Sequence, residues 1–159
     1  MKTKTHFSKT ELLKNTIFSI DILIFIVVGS IGLIFIFNTQ NFTKTDIIAL
    51  STAFLSLVIL WTLALFFYRN YVLKDILQQL EKNNYTILDF KLNPTHIEFQ
   101  KNQQSFVLKI EDMSLRNIDF ILEPTDRIPT QNKQKLEGKK ESRTYFYNSK
   151  VIQKLLDLA

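Results

Sequence analysis

The chain has 159 residues, of which 46% are hydrophobic, and 20 Lys and Arg stand against 15 Asp and Glu. It has no cysteine, which excludes disulfides, cysteine metal sites and thiol nucleophiles. Residues 69–159 hold 15 Lys and Arg against 12 Asp and Glu, and this balance lacks the strong basic patch of a nucleic-acid-binding domain. We therefore expect no nucleic-acid partner.

Two apolar runs dominate the first half of the chain. The first, Ile17–Phe37, has 21 residues and one charge, and the second, Ile47–Tyr68, has 22 residues and none. At about 1.5 Å of rise per residue, each makes a helix of roughly 30 Å, the thickness of a bilayer core. Both runs are apolar all round, which favours lipid contact. The nine residues 38–46 between them predict a turn, so the sequence predicts a transmembrane hairpin.

Asp21 is the single charge in the first run. The sixteen Ile, Leu, Val and Phe residues of that run contribute very roughly −5 to −10 kcal/mol to insertion, against about +3 kcal/mol for a carboxylate at the bilayer centre. The run therefore still inserts. We interpret Asp21 as reaching back to the interface near Lys14. An ion or proton site is the alternative, although neither run offers a second charged residue as a relay partner.

Small residues in both runs predict how the helices pack. The first run has Gly29, Ser30 and Gly32, and the second has Ala49, Thr52, Ala53 and Ser56 at i, i+3, i+4 and i+7. Small side chains let helix backbones approach closely in a membrane. We expect the two helices to pack on each other within the hairpin, and association of two copies into a homo-oligomer is the alternative use of this stripe.

The distribution of Lys and Arg predicts the orientation. The tail 1–16 holds four lysines, the loop 38–46 holds only Lys44, and Arg69, Lys74 and Lys82 follow the second run. Because positive residues stay in the cytoplasm, we expect both termini there and the loop outside, in a bacterial inner membrane. The first run is too long for a secretory signal, and no small-residue cleavage site follows it.

Helical periodicity extends beyond the second run. Val72, Leu73, Ile76, Leu77 and Leu80 recur at helical spacing, so we expect the second helix to continue to about Lys82. At its other end, Thr43 and Asp46 have the spacing of a capping box.

From Thr86 the period changes to two, which predicts an antiparallel sheet in residues 85–159. Three short strands are expected in 86–92, 96–100 and 105–110, a fourth at Leu115–Leu122 that ends at Pro124, and a fifth at Thr144–Asn148. Ser149 is the expected N-cap of a terminal helix that closes one side of the sheet. The predicted fold class is thus an α+β membrane protein, a two-helix hairpin followed by a small cytoplasmic sheet domain.

Thr125–Arg143 is a polar stretch of 19 residues with six Lys and Arg. We interpret it as a solvated loop. The alternative is a contact for anionic lipid or an acidic partner, with these candidate residues: Lys133, Lys135, Lys139, Lys140 and Arg143.

The arrangement resembles bacterial two-span membrane proteins with a small cytoplasmic PH-like domain of the YcxB type. The resemblance is carried by three segments: Phe90 through Phe99, Leu108–Met113, and Tyr145-Phe146-Tyr147 leading into Val151–Leu158. It implies a PH-like sheet closed by a C-terminal helix and implies little about activity, because a fold alone does not specify function.

Motifs of catalysis are missing from the sequence. It has no Gly-rich phosphate loop and no dinucleotide fingerprint. The histidines are His6, in the tail, and His96, which we interpret as a surface residue of a strand. Glu111 and Asp112 are adjacent and predict a solvated turn. We expect no catalytic, cofactor or metal site, and no enzyme.

These observations favour a non-enzymatic integral inner-membrane protein that presents a cytoplasmic domain to a protein partner or to lipid. An immunity protein that neutralises a toxin is one concrete version. The alternative is an accessory membrane subunit of a transporter or envelope complex.

Overall fold

The computed structural model of the chain describes residues 8–92, 94–102, 104–114, 117–125, 140–145 and 147–157. The chain divides into two compact units. Leu13–Phe67 form the helical unit, and Tyr68–Ala159 together with Met1–Leu12 form the sheet unit.

The first apolar run forms one helix from Ile20 onward, and a break in the helical structure separates it from a shorter helix before it. Helix α1 spans Lys9–Ile17 and helix α2 spans Ile20–Thr39. Between them, Ser19 has extended backbone (φ −71°, ψ 150°) and occupies the N-cap position of α2. The predicted helix over Ile17–Phe37 is thus one helix from Ile20 onward, and its expected start at Ile17 is wrong by three residues, because the apolar composition runs through the break and carries no sign of it.

Helix α3 spans Lys44–Lys82, 39 residues, which confirms that the helix continues past the second apolar run. The predicted capping box at its start is also confirmed. The Thr43 amide donates to Asp46 Oδ2 at 3.0 Å, and the Asp46 amide donates to Thr43 Oγ1 at 3.3 Å. After α3 the chain turns through Asn84 at φ 61°, a left-handed conformation that asparagine tolerates.

Five strands follow in an antiparallel meander of order β1-β2-β3-β4-β5. Their bounds are Thr86–Leu92, Thr95–Lys101, Gln104–Met113, Asn117–Thr125 and Lys140–Tyr145. The antiparallel sheet and the α+β layout are thereby confirmed. Glu111 and Asp112 lie in β3 and not in a turn, because β3 continues to Met113 through an irregular register between Ile110 and Asp112.

The later strand bounds differ from the prediction. β4 spans Asn117–Thr125, and its expected start at Leu115 lies outside the described residues. The strand reaches Pro124 as predicted, and this proline lies beyond the β4 residues that pair with β5, where a strand tolerates it. β5 is Lys140–Tyr145, whereas Thr144–Asn148 was expected. Backbone pairing with β4 needs no apolar side chain, and polar residues are typical of an edge strand, so the alternation rule misses it.

Helix α4 spans Ser149–Leu156. Its N-cap is Asn148, whose side chain accepts a hydrogen bond from the Lys150 amide at 3.0 Å, so the assignment of the cap to Ser149 was wrong by one residue. Asparagine and serine are comparably good caps, and periodicity alone does not choose between neighbours.

The core of the sheet unit combines one face of the sheet with apolar stripes of α3 and α4. Cross-strand pairs Ile97–Leu108 and Phe99–Phe106 are buried. Buried residues from the helices complete the core: Val72, Leu73, Ile76 and Leu80 from α3, and Ile152, Leu155 and Leu156 from α4. Each such side chain contributes about 1.5–3 kcal/mol when it leaves water. The opposite face of the sheet holds charged residues together with the apolar Val107 and Ile121.

Candidate membrane-contact surface and charged sheet face

The apolar helices bury very little of their surface. In the most apolar 18-residue windows of Lys9–Thr39 and Lys44–Lys82, only 6% and 0% of the residues are buried. A core helix of a soluble protein would be mostly buried. The helical segment Lys9–Thr39, which contains α1 and α2, and helix α3 are long and apolar enough to cross a membrane, and burial within this chain does not account for their composition.

Large apolar side chains cover the outside of the helical unit. The following six are 57–68% exposed: Ile24, Ile31 and Phe35 in α2, and Ile48, Leu60 and Phe67 in α3. Soluble monomers rarely expose contiguous apolar patches larger than a few hundred Å². This surface therefore has the character of a membrane-contact surface.

Aromatic rings form the contact between α2 and α3. The Phe25 ring stacks against the rings of Phe54 and Trp61, with centroids 6.0 Å apart in both pairs. Gly29 lies one turn after Phe25, and a Cβ there would overlap the Phe54 ring, whereas a Cβ at Gly32 would meet nothing within 4 Å. Of the two glycines, Gly29 is therefore the one in close contact with α3.

The small residues of α3 that were predicted to line this contact lie at exposed positions of the helix. Ala49, Ala53 and Ser56 are exposed, and bulkier residues of α3, Phe54 among them, turn toward α2. The expected packing of these three residues on the first helix therefore stays a prediction, and the ring contacts between α2 and α3 are those of Phe25 with Phe54 and Trp61. Aromatic side chains set the separation of α2 and α3 at this contact. The small size of the neighbouring residues in the sequence does not indicate this. Use of the stripe by a second copy stays a prediction.

The other sequence-predicted sites are scattered. Lys133, Lys135 and Lys139 lie outside the described residues. Lys140 and Arg143 belong to β5, where they pair with Leu122 and Asp119 of β4. They stand on an edge strand and not in a loop, and their contact with lipid or a partner stays a prediction.

Asp21 lies in the first turn of α2, where the helix dipole favours a carboxylate. The break before α2 therefore gives this residue a local role at a helix start. An ion or proton site at Asp21 stays a hypothesis.

Charged residues occupy the face of the sheet that the core does not use. Asp89 stands opposite Glu98, and Lys91 stands opposite His96, across the β1–β2 pair. The Lys91 Nζ is 3.5 Å from Asp89 Oδ2. On the neighbouring strands, Lys109 forms an ion pair with Glu123.

A bulge in β1 brings three of these side chains together. Ile87 pairs with Phe99, but Asp89 pairs with Glu98, so Leu88 is the extra residue and is 42% exposed. Without this shift Asp89 would stand opposite Ile97, on the core face.

As a result, one ligand atom each from Asp89, His96 and Glu98 lies within 4.8 Å of the others. The sequence pattern alone did not predict this cluster. His96 and Glu98 share a face by alternation, which the sequence could have shown, but Asp89 joins them only through the strand register and the bulge.

No family model, curated protein or solved structure matches this chain. The resemblance to the YcxB-type proteins therefore rests on the sequence pattern, and it stays a prediction.

Proposed function

We propose that this chain is a non-enzymatic integral membrane protein whose α2 and α3 form a transmembrane hairpin. The observation that carries the proposal is the exposure of large apolar side chains along both helices, with 6% and 0% of their most apolar windows buried. In water that surface would be costly, at roughly 25 cal/mol per Å². In a bilayer the same apolar side chains would contact lipid tails, and this cost would not arise.

The orientation follows from charge. The tail before the hairpin and the chain after it are rich in Lys and Arg, whereas the connection between α2 and α3 has Lys44 alone. Positive segments remain in the cytoplasm, so the proposed location is a bacterial inner membrane with both termini inside. The boundary between the two units falls between Phe67 and Tyr68, where the second apolar run ends. The sheet unit thus begins where the hydrocarbon would end.

The sheet unit is the proposed binding module, and its partner is a protein or the lipid surface. Its near balance of charges suits a domain held near an anionic membrane face. A toxin-neutralising immunity protein is one version of this function, and a PH-like domain of the YcxB type is the proposed form of the module.

A second candidate is an accessory subunit of a transporter or envelope complex. One observation favours it: the small-residue stripe of Ala49, Ala53 and Ser56 is exposed, so a helix of another protein could approach the α3 backbone closely.

Single cysteines test insertion and orientation, since the chain has none of its own. Asn41 lies in the connection between α2 and α3 and Asn102 lies in the β2–β3 turn, and both are exposed. We expect Asn41→Cys to react with a membrane-impermeant maleimide on intact spheroplasts, and Asn102→Cys to react only after lysis. The reverse pattern would refute the orientation. Release of the protein by alkaline carbonate would refute insertion, and the cysteine-free chain serves as the labelling control.

Purification in a mild detergent through a C-terminal tag separates the two candidate functions. A binding module should retain its partner when Ala53 is replaced by Phe, because the sheet unit is untouched. A docked subunit should lose its partner in Ala53→Phe. Leu55→Phe is the matched control, since Leu55 is also exposed but lies on the other side of α3 from Ala53.

A further inference from the structure

The charged face of the sheet holds a group of three side chains that are all capable of binding a metal. We propose that Asp89, His96 and Glu98 bind a divalent first-row transition-metal ion. Asp89 lies on β1, and His96 and Glu98 lie two residues apart on β2, so paired backbone of two neighbouring strands holds all three donors. The described part of the chain offers no other group of three such residues.

The separations fit a common metal. Zn²⁺ binds imidazole nitrogen and carboxylate oxygen at about 2.0–2.2 Å, so donors around one tetrahedral ion lie roughly 3.3–3.6 Å from each other. The three ligand atoms are within 4.8 Å of one another. Small rotations of the half-buried Asp89 and His96 side chains toward the buried Glu98 would close that difference.

The electrostatics also favour a cation at this position. Asp89 and Glu98 stand directly opposite each other, an arrangement in which like charges repel. Glu98 is only 6% exposed, so water screens this repulsion less than at an open surface. A divalent ion held by both carboxylates would attract each of them and reduce their mutual repulsion.

Lys91 competes with a metal ion for the Asp89 carboxylate. Its Nζ is 3.5 Å from Asp89 Oδ2, and its side chain is 57% exposed. The ammonium group supplies a single positive charge from the solvent side, and it is free to swing into water when a metal binds. Lys91 and a metal ion should therefore exclude each other at Asp89.

The donor set selects the class of metal. One imidazole nitrogen and two carboxylate oxygens suit Zn²⁺ and Mn²⁺, whereas Mg²⁺ and Ca²⁺ prefer sites made of oxygen alone. β1 is an edge strand of the sheet, and an ion held between β1 and β2 would fasten that edge to its neighbour. Water or a partner's side chain would occupy the remaining coordination positions.

Titration calorimetry of the full chain in detergent, after removal of metal by a chelator, tests the site with Zn²⁺ as the probe. We expect saturable one-to-one binding that is weakened at least about tenfold in His96→Gln, Asp89→Asn and Glu98→Gln. His6→Gln removes the other histidine, and Glu123→Gln removes a carboxylate from the same sheet face. Both control variants should bind Zn²⁺ like the parent chain.

Two further measurements keep the test independent of folding. Zn²⁺ should raise the melting temperature of the parent chain and of His6→Gln but not of His96→Gln. Lys91→Met should bind Zn²⁺ more tightly, because it removes the competing charge, and a structural role alone would not produce that gain.

Absence of saturable binding at micromolar Zn²⁺, or equal affinity in the parent chain and His96→Gln, would overturn the metal site. Equal affinity for Mg²⁺ would overturn the choice of a transition metal. Metal binding does not require membrane insertion, so either failure leaves the proposed function as it stands.

Discussion

The Tyr147 hydroxyl donates a hydrogen bond of 2.5 Å to Asp75 Oδ2, between residues 72 positions apart in the chain. The Tyr147 amide donates to the Tyr68 hydroxyl at 3.0 Å. Its ring meets the rings of Tyr71 and Phe120 nearly edge-on, with centroids 6.0 and 6.5 Å apart. These contacts all lie within the sheet unit, and they fix the segment between β5 and α4 against α3.

Because of this hydrogen bond, the stability of the folded chain should decrease at alkaline pH. Burial, and then the Asp75 carboxylate that accepts the bond, raise the pKa of Tyr147 far above its ordinary value of about 10. The folded state therefore holds the hydroxyl proton more tightly than the unfolded chain does. Above pH of about 10 the unfolded chain loses that proton first, so the stabilisation is complete below that pH and declines as the pH rises.

We expect Tyr147→Phe to lose about 1 kcal/mol of unfolding free energy at neutral pH, because the hydrogen bond is gone. Its deficit relative to the parent chain should shrink above pH of about 10. Denaturant unfolding of the full chain in detergent, from neutral to alkaline pH, measures both effects. Asp75→Asn keeps an acceptor but removes the charge, and its pH dependence should lie between the other two. Parallel curves for Tyr147→Phe and the parent chain would contradict the assignment.

Periodicity predicted the elements whose burial is one-sided. The helical stripe from Val72 to Leu80 gave the extension of α3 to Lys82, and alternation gave the first three strands, because both patterns record which face meets the core. Local hydrogen-bonding chemistry gave the Thr43–Asp46 cap. Each of these signals is contained in a few consecutive residues.

What the sequence did not predict depends on partners far along the chain. β5 is polar and forms because β4 offers it a backbone ladder. The Asp89, His96 and Glu98 cluster needs the bulge at Leu88, since a uniform register would turn Asp89 inward. The stacking of Phe54 on Phe25 was also not predicted, because composition alone does not say which face of an all-apolar helix meets its neighbour.

Phe99 should be the most sensitive position of the sheet core. Its side chain is fully buried, it meets the Tyr85 ring edge-on at 5.1 Å between centroids, and it stacks on Phe106 at 5.7 Å. Phe99→Ala should cost about 3–5 kcal/mol of unfolding free energy, because it removes buried surface and leaves a cavity. Leu88→Ala is the control in the adjacent strand and should cost well under 1 kcal/mol, since Leu88 is the exposed bulge residue. Thermal unfolding of both variants in detergent checks the contrast, and comparable losses would place the core elsewhere.

The cap of α3 should be visible in the titration of one carboxylate. The Thr43 hydroxyl, and then the Thr43 amide, donate to Asp46 and hold the pKa of that carboxyl below its ordinary range. Thr43→Ala removes the hydroxyl donor and should move the Asp46 midpoint back toward the ordinary value, as followed by its carboxyl ¹³C resonance. Thr45→Ala is the neighbouring control and should leave the midpoint in place. The cap contributes to helix stability above the ordinary pKa of an aspartate and is lost as the pH falls through the lowered value. An unchanged Asp46 midpoint in Thr43→Ala would refute the capping box as the cause of the lowered pKa.

The two glycines of α2 allow a matched test of the helical hairpin. A side chain at Gly29 must displace the Phe54 ring, which stacks on Phe25, whereas a side chain at Gly32 enters open space. Gly29→Leu should therefore destabilise the α2–α3 contact by about 1–3 kcal/mol, the usual cost of overpacking. Gly32→Leu should leave the contact intact and add only exposed apolar surface.

Trp61 reports on this contact directly. It is the single tryptophan of the chain, and its ring lies against Phe25. In lipid nanodiscs, Gly29→Leu should shift the Trp61 emission and lower its thermal transition, while Gly32→Leu should match the parent chain in both. If the two variants behave alike, the aromatic contact does not hold the helices together, and the exposed stripe at Ala49, Ala53 and Ser56 becomes the better candidate for helix association, between copies or with another protein.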